Sequence, residues 1–211
     1  AASDVYKRQV GIAKHTRAFE PLRNWNLMDR LAAKQVENAF IWDFLDALQT
    51  GVLTISNTNY KVEIPEVINT QDYIGINYYG RYFVKTRFSD LANPEILFND
   101  PTNADQMISD LGWSIYPHGF YQVLTDTHQR YDKPIYILES GMADSEMNDL
   151  RRQAFLVSHL VELWNAIEFG GADIRGYIHW SLTDNFEWAE GFSARFGLIK
   201  ICLLYTSDAA D

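Results

Sequence analysis

Pro134-Ile135-Tyr136-Ile137-Leu138-Glu139-Ser140-Gly141 is a short apolar run that stops on a carboxylate and a glycine. Consecutive apolar positions, several of them β-branched or aromatic, describe a strand buried on both faces. Helical patterns flank it. Trp113 to Arg130 contains a helix: Pro117 suits its first turn, and Phe120, Val123, Leu124 and Thr127 recur at inward-facing spacing. After the strand a helix runs from about Asn148 to Phe169, with Phe155, Leu160, Trp164 and Ile167 as its apolar face and Gly170-Gly171 as its stop. Further out lie two more strand patterns, Tyr73 to Tyr79 and Ile174 to Leu182, each apolar at first and polar and aromatic at its end. Val10-Gly11-Ile12-Ala13 reads as the end of a fourth buried strand.

Lys14 to Met28 reads as a loop, because of Pro21 and its polar residues. Asp29 is the expected N-cap of the next helix and Gly51 its C′ residue. Leu31, Phe40, Phe44, Leu45 and Leu48 form a core stripe between them, with Trp42 on the same face or at its edge. Val52 to Thr70 is mixed, and Pro65 bars a regular helix. Arg81 to Phe88 extends the second strand as an excursion, and Ser89 to Met107 reads as a long polar loop of the kind that walls a site. Short apolar strands alternating with helices predict parallel βα units. The fold class is α/β, a partial (β/α)8 TIM barrel: a complete barrel needs about 250 residues, and its chemistry sits on the loops that follow the strands.

The chain has 211 residues, 47% of them hydrophobic and 14% aromatic, enough for one cored domain. A formal charge of −10 with no basic run argues against nucleic-acid or anionic-membrane partners. No apolar run reaches transmembrane length. Cys202 is the lone cysteine, and the five histidines show no metal-ligand spacing, so neither a metal nor another cofactor is expected.

The two ends read differently from the rest. The tail Cys202 to Asp211 can be written TGT CTC TTA TAC ACA TCT GAC GCT GCC GAC. Its opposite strand, read one base in, translates as Ser-Ala-Ala-Ser-Asp-Val-Tyr-Lys-Arg with CA opening a Gln codon, which matches the head Ala1 to Gln9. Residues 1–9 and 202–211 thus resemble a translated sequencing adapter and are excluded from fold reasoning. Residues 10–201 are the expected native part. No secretory segment opens the chain, but with the true start missing this says nothing of secretion; the cytoplasm is the expectation.

Two stretches carry candidate chemistry. Glu139 follows a strand and precedes a glycine, where a barrel places catalytic groups; a solvent-facing turn carboxylate is the other reading. In Trp180-Ser181-Leu182-Thr183-Asp184-Asn185-Phe186-Glu187-Trp188, indoles offer flat apolar faces, and Asp184, Asn185 and Glu187 offer directional polar groups. Sugars present that mixture of C–H faces and hydroxyls; an aromatic loop packing on its own barrel is the alternative.

The run Trp180-Ser181-Leu182, Asp184 to Trp188, Gly191-Phe192-Ser193 and Arg195-Phe196-Gly197-Leu198 resembles the end of glycoside hydrolase family 1, the β-glucosidase and β-galactosidase family. The resemblance covers nearly all of residues 10–201 and corresponds to barrel strands five to eight. It implies retaining hydrolysis of terminal β-D-glycosyl residues: one carboxylate attacks the anomeric carbon and another protonates the leaving oxygen. Ile137-Leu138-Glu139-Ser140-Gly141 corresponds to the strand-seven motif Ile/Val-Thr-Glu-Asn-Gly, which makes Glu139 the implied nucleophile; Leu138 and Ser140 depart from the motif. Tyr79, in Asn77-Tyr78-Tyr79, is implied as its hydrogen-bond partner, with Asn77 on the same floor; a packing pair at a strand end is the bland alternative. The family further implies Trp180 as the sugar platform, Glu187 at the C4 and C6 hydroxyls and Trp188 at the C3 hydroxyl. Phe196 closes the apolar side, and Trp113 either shapes the leaving-group side or packs in the core. A carboxylate at C6 disfavours 6-phospho-sugars. The family's acid/base lies in an Asn-Glu-Pro motif, which this sequence lacks, and Glu20-Pro21 does not replace it. The implied partners are a β-glucoside, β-galactoside or short β-linked oligosaccharide, and the missing N-terminal half of the barrel. A non-catalytic sugar- or protein-binding relative is the alternative.

Overall fold

The computed structural model describes residues 9–202 apart from residues 57 and 147. The adapter-like ends lie outside the described residues except for Gln9 and Cys202. Four strands lie side by side and parallel: β1 (Gly11–Pro21), β4 (Tyr73–Arg87), β6 (Ile135–Ser140) and β7 (Ile174–His179), in that spatial order. Helices α1 (Leu27–Glu37) and α2 (Asp43–Thr50), then α3 (Pro117–Tyr131), then α4 (Leu150–Glu168) fill the connections. Sequential parallel neighbours joined by helices make this a barrel segment, as expected.

The core lies on one face of the sheet. Ile74, Ile76 and Tyr78 of β4 and Ile135 and Ile137 of β6 turn outward and are fully buried against Phe120, Val123 and Leu124 of α3 and Ile41, Trp42 and Leu45. The alternate residues Gly75, Asn77 and Tyr79 point to the barrel interior, because side chains alternate along a strand. Pro117 opens α3 as expected, and Thr127 is buried on the same face as Phe120.

Several boundaries differ from expectation. Lys14 to Pro21 is not a loop but the continuation of β1, paired with β4 through Pro21↔Val84. The N-cap of α1 is Asn26, whose side chain accepts from the Met28 and Asp29 amides. Asp29 is instead a fully buried carboxylate, accepting from Arg23 Nε at 2.7 Å and Nη2 at 2.8 Å, and from the Thr86 amide at 2.9 Å and hydroxyl at 2.6 Å. It locks α1 to β4. Between α1 and α2 a π-helical turn, Asn38–Trp42, rotates everything after it. Ile41, Trp42 and Leu45 therefore face the core, while Leu31 and Phe44 of the expected stripe are exposed. Gly51 does close α2, at φ 72.

Val52–Thr54 (β2) and Lys61–Glu63 (β3) form a small hairpin, and Asp90–Leu97 (β5) folds back antiparallel on β4. Only the remainder of Ser89 to Met107 is loop. On α4, Phe155 is buried as expected, but Leu160, Trp164 and Ile167 are not; Arg152, His159 and Ala166 take the inward positions.

Candidate active site

The parallel register sets the C-terminal ends of the strands side by side, with Asn77 of β4 opposite Glu139 of β6 and Ser140 opposite His179 of β7. At that rim the Tyr79 hydroxyl donates to Glu139 Oε2 at 2.7 Å. Burial, and then the hydrogen bond to Glu139, push the Tyr79 hydroxyl well above the usual tyrosine range, with the charges of Glu139 and Glu187 adding to it. Tyr79 is thus held neutral, as a donor.

Aromatic rings enclose the pair. The Tyr79 ring meets Trp113 edge-on at 5.7 Å and Phe196 at 6.1 Å, and Trp113 lies 6.2 Å from Phe196. Trp180 packs against the same cluster from the end of β7. Gly141 lets it approach: a Cβ there would lie 1.7 Å from the Trp180 carbonyl oxygen. The structure therefore brings together Tyr79, Glu139, Trp113, Trp180 and Phe196. Asn77 lies beside them, its Oδ1 buried and without a partner among the described residues.

Glu187 and Trp188 belong to the loop after β7. Glu187 Oε2 accepts from Asn185 Nδ2 at 2.6 Å, which orients the carboxylate; Trp188 is 83% exposed and packs on nothing in the cluster. Asp184 works on the loop itself: it accepts from Gly197 N at 3.0 Å, Arg195 Nη1 at 2.9 Å and Ile201 N at 3.1 Å. Buried Arg152 of α4 donates to the carbonyls of Asp144 at 2.6 Å and Arg195 at 2.8 Å, tying the loop after β6 to the loop after β7. Glu20 accepts from Arg81 Nη1 at 2.8 Å.

Sequence reading missed the contribution of β1. Arg17 is 1% exposed, its guanidinium 4.4 Å from the Trp113 ring and 4.5 Å from that of Tyr82. Its Nε donates to His15 Nε2 at 3.2 Å. The polar residues at alternate positions His15 and Arg17 were the available signal, because a barrel strand that lines a site is polar on its inner face. Among the described residues no group of His, Cys, Asp and Glu has metal-binding geometry.

Comparison with known proteins agrees with this architecture. The model of glycosyl hydrolase family 1 matches residues 3–207. The β-galactosidase of Sulfolobus acidocaldarius is 37% identical over 206 residues, covering 95% of this chain and 40% of that protein. The β-glucosidase A of Thermotoga maritima is 36% identical over 151 residues, covering 68% of this chain and 32% of the relative. The solved β-glycosidase from Pyrococcus horikoshii superimposes with a TM-score of 0.81 at 36% identity, over 94% of this chain and 44% of that one. The chain thus spans about two fifths of the length of the curated β-galactosidase it matches. Its strand order, its rim of carboxylate and aromatic rings, and a family match running nearly end to end lead to one conclusion: the chain belongs to glycosyl hydrolase family 1.

Proposed function

We propose that this chain is the nucleophile-bearing part of a retaining exo-β-glycosidase that removes terminal β-D-glucosyl or β-D-galactosyl residues. The observation that carries the reading is the Tyr79–Glu139 hydrogen bond at 2.7 Å, at the adjoining ends of two parallel strands and walled by Trp113, Trp180 and Phe196. A short bond from a neutral donor fixes one carboxylate oxygen and leaves the other to attack. Glu139 bonds to the anomeric carbon as the glycosidic C–O bond breaks, and water then hydrolyses the glycosyl-enzyme. The general acid/base that protonates the leaving oxygen comes from a part of the parent protein that this sequence does not include. Trp180 stacks under the sugar, Glu187 takes its C4 and C6 hydroxyls, Trp188 its C3 hydroxyl, and Asn77 lines the floor. A non-catalytic sugar-binding relative has no use for a tyrosine donor on a buried-rim carboxylate.

The test is intact mass after incubation with 2,4-dinitrophenyl 2-deoxy-2-fluoro-β-D-glucoside, whose leaving group scarcely needs acid assistance. One fluoroglucosyl adduct is expected on the parent chain and none on Glu139→Gln. An adduct that persists in Glu139→Gln overturns the assignment. So does the absence of an adduct in a folded chain that has been recombined with the N-terminal half of a family member.

A further inference from the structure

We infer that Arg17 forms an anion subsite beside Glu139, one that receives a carboxylate carried by the leaving group of the substrate. Among the described residues the charged, fully buried guanidinium has no acceptor for Nη1 or Nη2, and its one hydrogen bond, through Nε, goes to an imidazole. The contrast within the chain is direct. Arg152, also buried, has the carbonyls of Asp144 and Arg195 and the Asp149 carboxylate as acceptors. Seven other described arginines, Arg23 to Arg195, sit in ion pairs. A buried cation left open in this way is costly, and the cost is offset once a carboxylate accepts from both terminal nitrogens.

The rings hold Arg17 ready. Trp113 and Tyr82 lie against the guanidinium at 4.4 and 4.5 Å, and Tyr79 at 6.0 Å, a stacked cation–π arrangement. Trp113 and Tyr82 are themselves part-exposed, so a carboxylate reaches Nη1 and Nη2 by displacing one ring edge. The topology fixes which end of the substrate is concerned. Glu139 sits on β6; Trp180 and Glu187 follow β7 on one side of it, and Arg17 lies on β1, beyond β4, on the other side. With the sugar over β7, the group that departs from Glu139 is directed toward β1. This placement rests on the proposed function; the cation subsite itself does not.

Two matched pairs of probes separate those questions in calorimetric titrations of the chain at neutral pH. The first pair is 4-carboxyphenyl and 4-carbamoylphenyl β-D-glucopyranoside; the second is 4-hydroxybenzoate and 4-hydroxybenzamide, which carry no sugar. Each carboxylate is expected to bind about tenfold more tightly than its amide, the size of one charge-assisted bidentate contact. The preference is lost in Arg17→Met and reduced in Arg17→Lys, which keeps the charge but not the fork. A preference shown by the benzoate pair alone supports the subsite while refuting the sugar site. Equal binding of carboxylate and amide in both pairs overturns the inference, as does a preference that survives in folded Arg17→Met. Should Arg17→Met not fold, an undiminished preference in Arg17→Lys overturns it.

Discussion

Asp29→Ala tests how α1 is held to the sheet. The carboxylate is fully buried and accepts two hydrogen bonds from Arg23 and two from Thr86, at 2.6 to 2.9 Å. Truncation strands the Thr86 amide and hydroxyl, both buried, at about 1–3 kcal/mol each. Arg23 is released more cheaply: its side chain is 32% exposed and it still donates to the Thr86 carbonyl at 2.9 Å. The desolvation of the lost charge, regained on truncation, offsets part of this, leaving a destabilisation of about 3 kcal/mol. Urea unfolding followed by far-ultraviolet circular dichroism at pH 7 measures it. The dependence on pH is a second signature. Burial alone would raise the Asp29 carboxyl, but hydrogen bonds from Arg23 and Thr86 hold it well below its ordinary 3.8. A depressed carboxyl stabilises the fold above its unfolded value and gives that stability up as the pH falls below it. The parent and variant are therefore expected to converge in stability below about pH 4. A loss under about 1 kcal/mol at pH 7, or a difference that is constant down to pH 3, refutes the reasoning.

Tyr79→Phe keeps the ring packing but removes the donor to Glu139; fluoroglucoside labelling is expected to slow roughly tenfold, and labelling at the parental rate would count against the bond's role. Gly141→Ala drives a Cβ to 1.7 Å from the Trp180 carbonyl, so a loss of about 3 kcal/mol or more is expected by thermal melting, and an unchanged melting temperature would contradict the packing described. His159 is fully buried, and burial lowers its imidazole to about 4 despite a bond to the Phe155 carbonyl. The unfolded chain then takes up a proton that the folded chain does not, so about 2 kcal/mol is lost between pH 7 and pH 5. In His159→Gln that slope should flatten; an equal slope would assign the titration elsewhere.

How far the sequence spoke depended on whether local pattern and tertiary environment agreed. The inward residues of α3 were legible because one helix face meets one sheet face, and Phe120, Val123, Leu124 and Thr127 repeat without interruption. β6 was legible because a short apolar run between Pro134 and Gly141 suits a buried strand, while the choice of Glu139 over a turn carboxylate came from the motif Ile137 to Gly141. β1 was not: His15 and Arg17 alternate with Thr16 and Ala18, and a strand that is polar toward a site imitates a loop. Asp29 misled because a buried, fully partnered carboxylate in the first turn of a helix and an N-cap look alike in sequence. On α4 the apolar residues circle the helix, so spacing alone did not tell that Arg152 and His159 would turn inward while Leu160 and Trp164 stayed exposed. At the candidate site, Glu139, Tyr79, Trp113, Trp180 and Phe196 were named from sequence and meet in space; Trp188 stands apart.

The π turn at Asn38–Trp42 makes this stretch one residue longer than its packing requires. A regular helix continued from Ala33 and Val36 would carry positions 40, 44 and 47 along one face; instead Phe44 is exposed, and the fully buried residues are Ile41, Trp42 and Leu45, with Phe40 and Leu48 packed partly against them. Ala39 is exposed and contributes nothing to either buried face. Excising it would reconnect the two halves through an unbroken helix with their contacts intact. Length at this point is thus a neutral variable, and alignments of related chains should open their gaps at Ala39 rather than in the loops on either side.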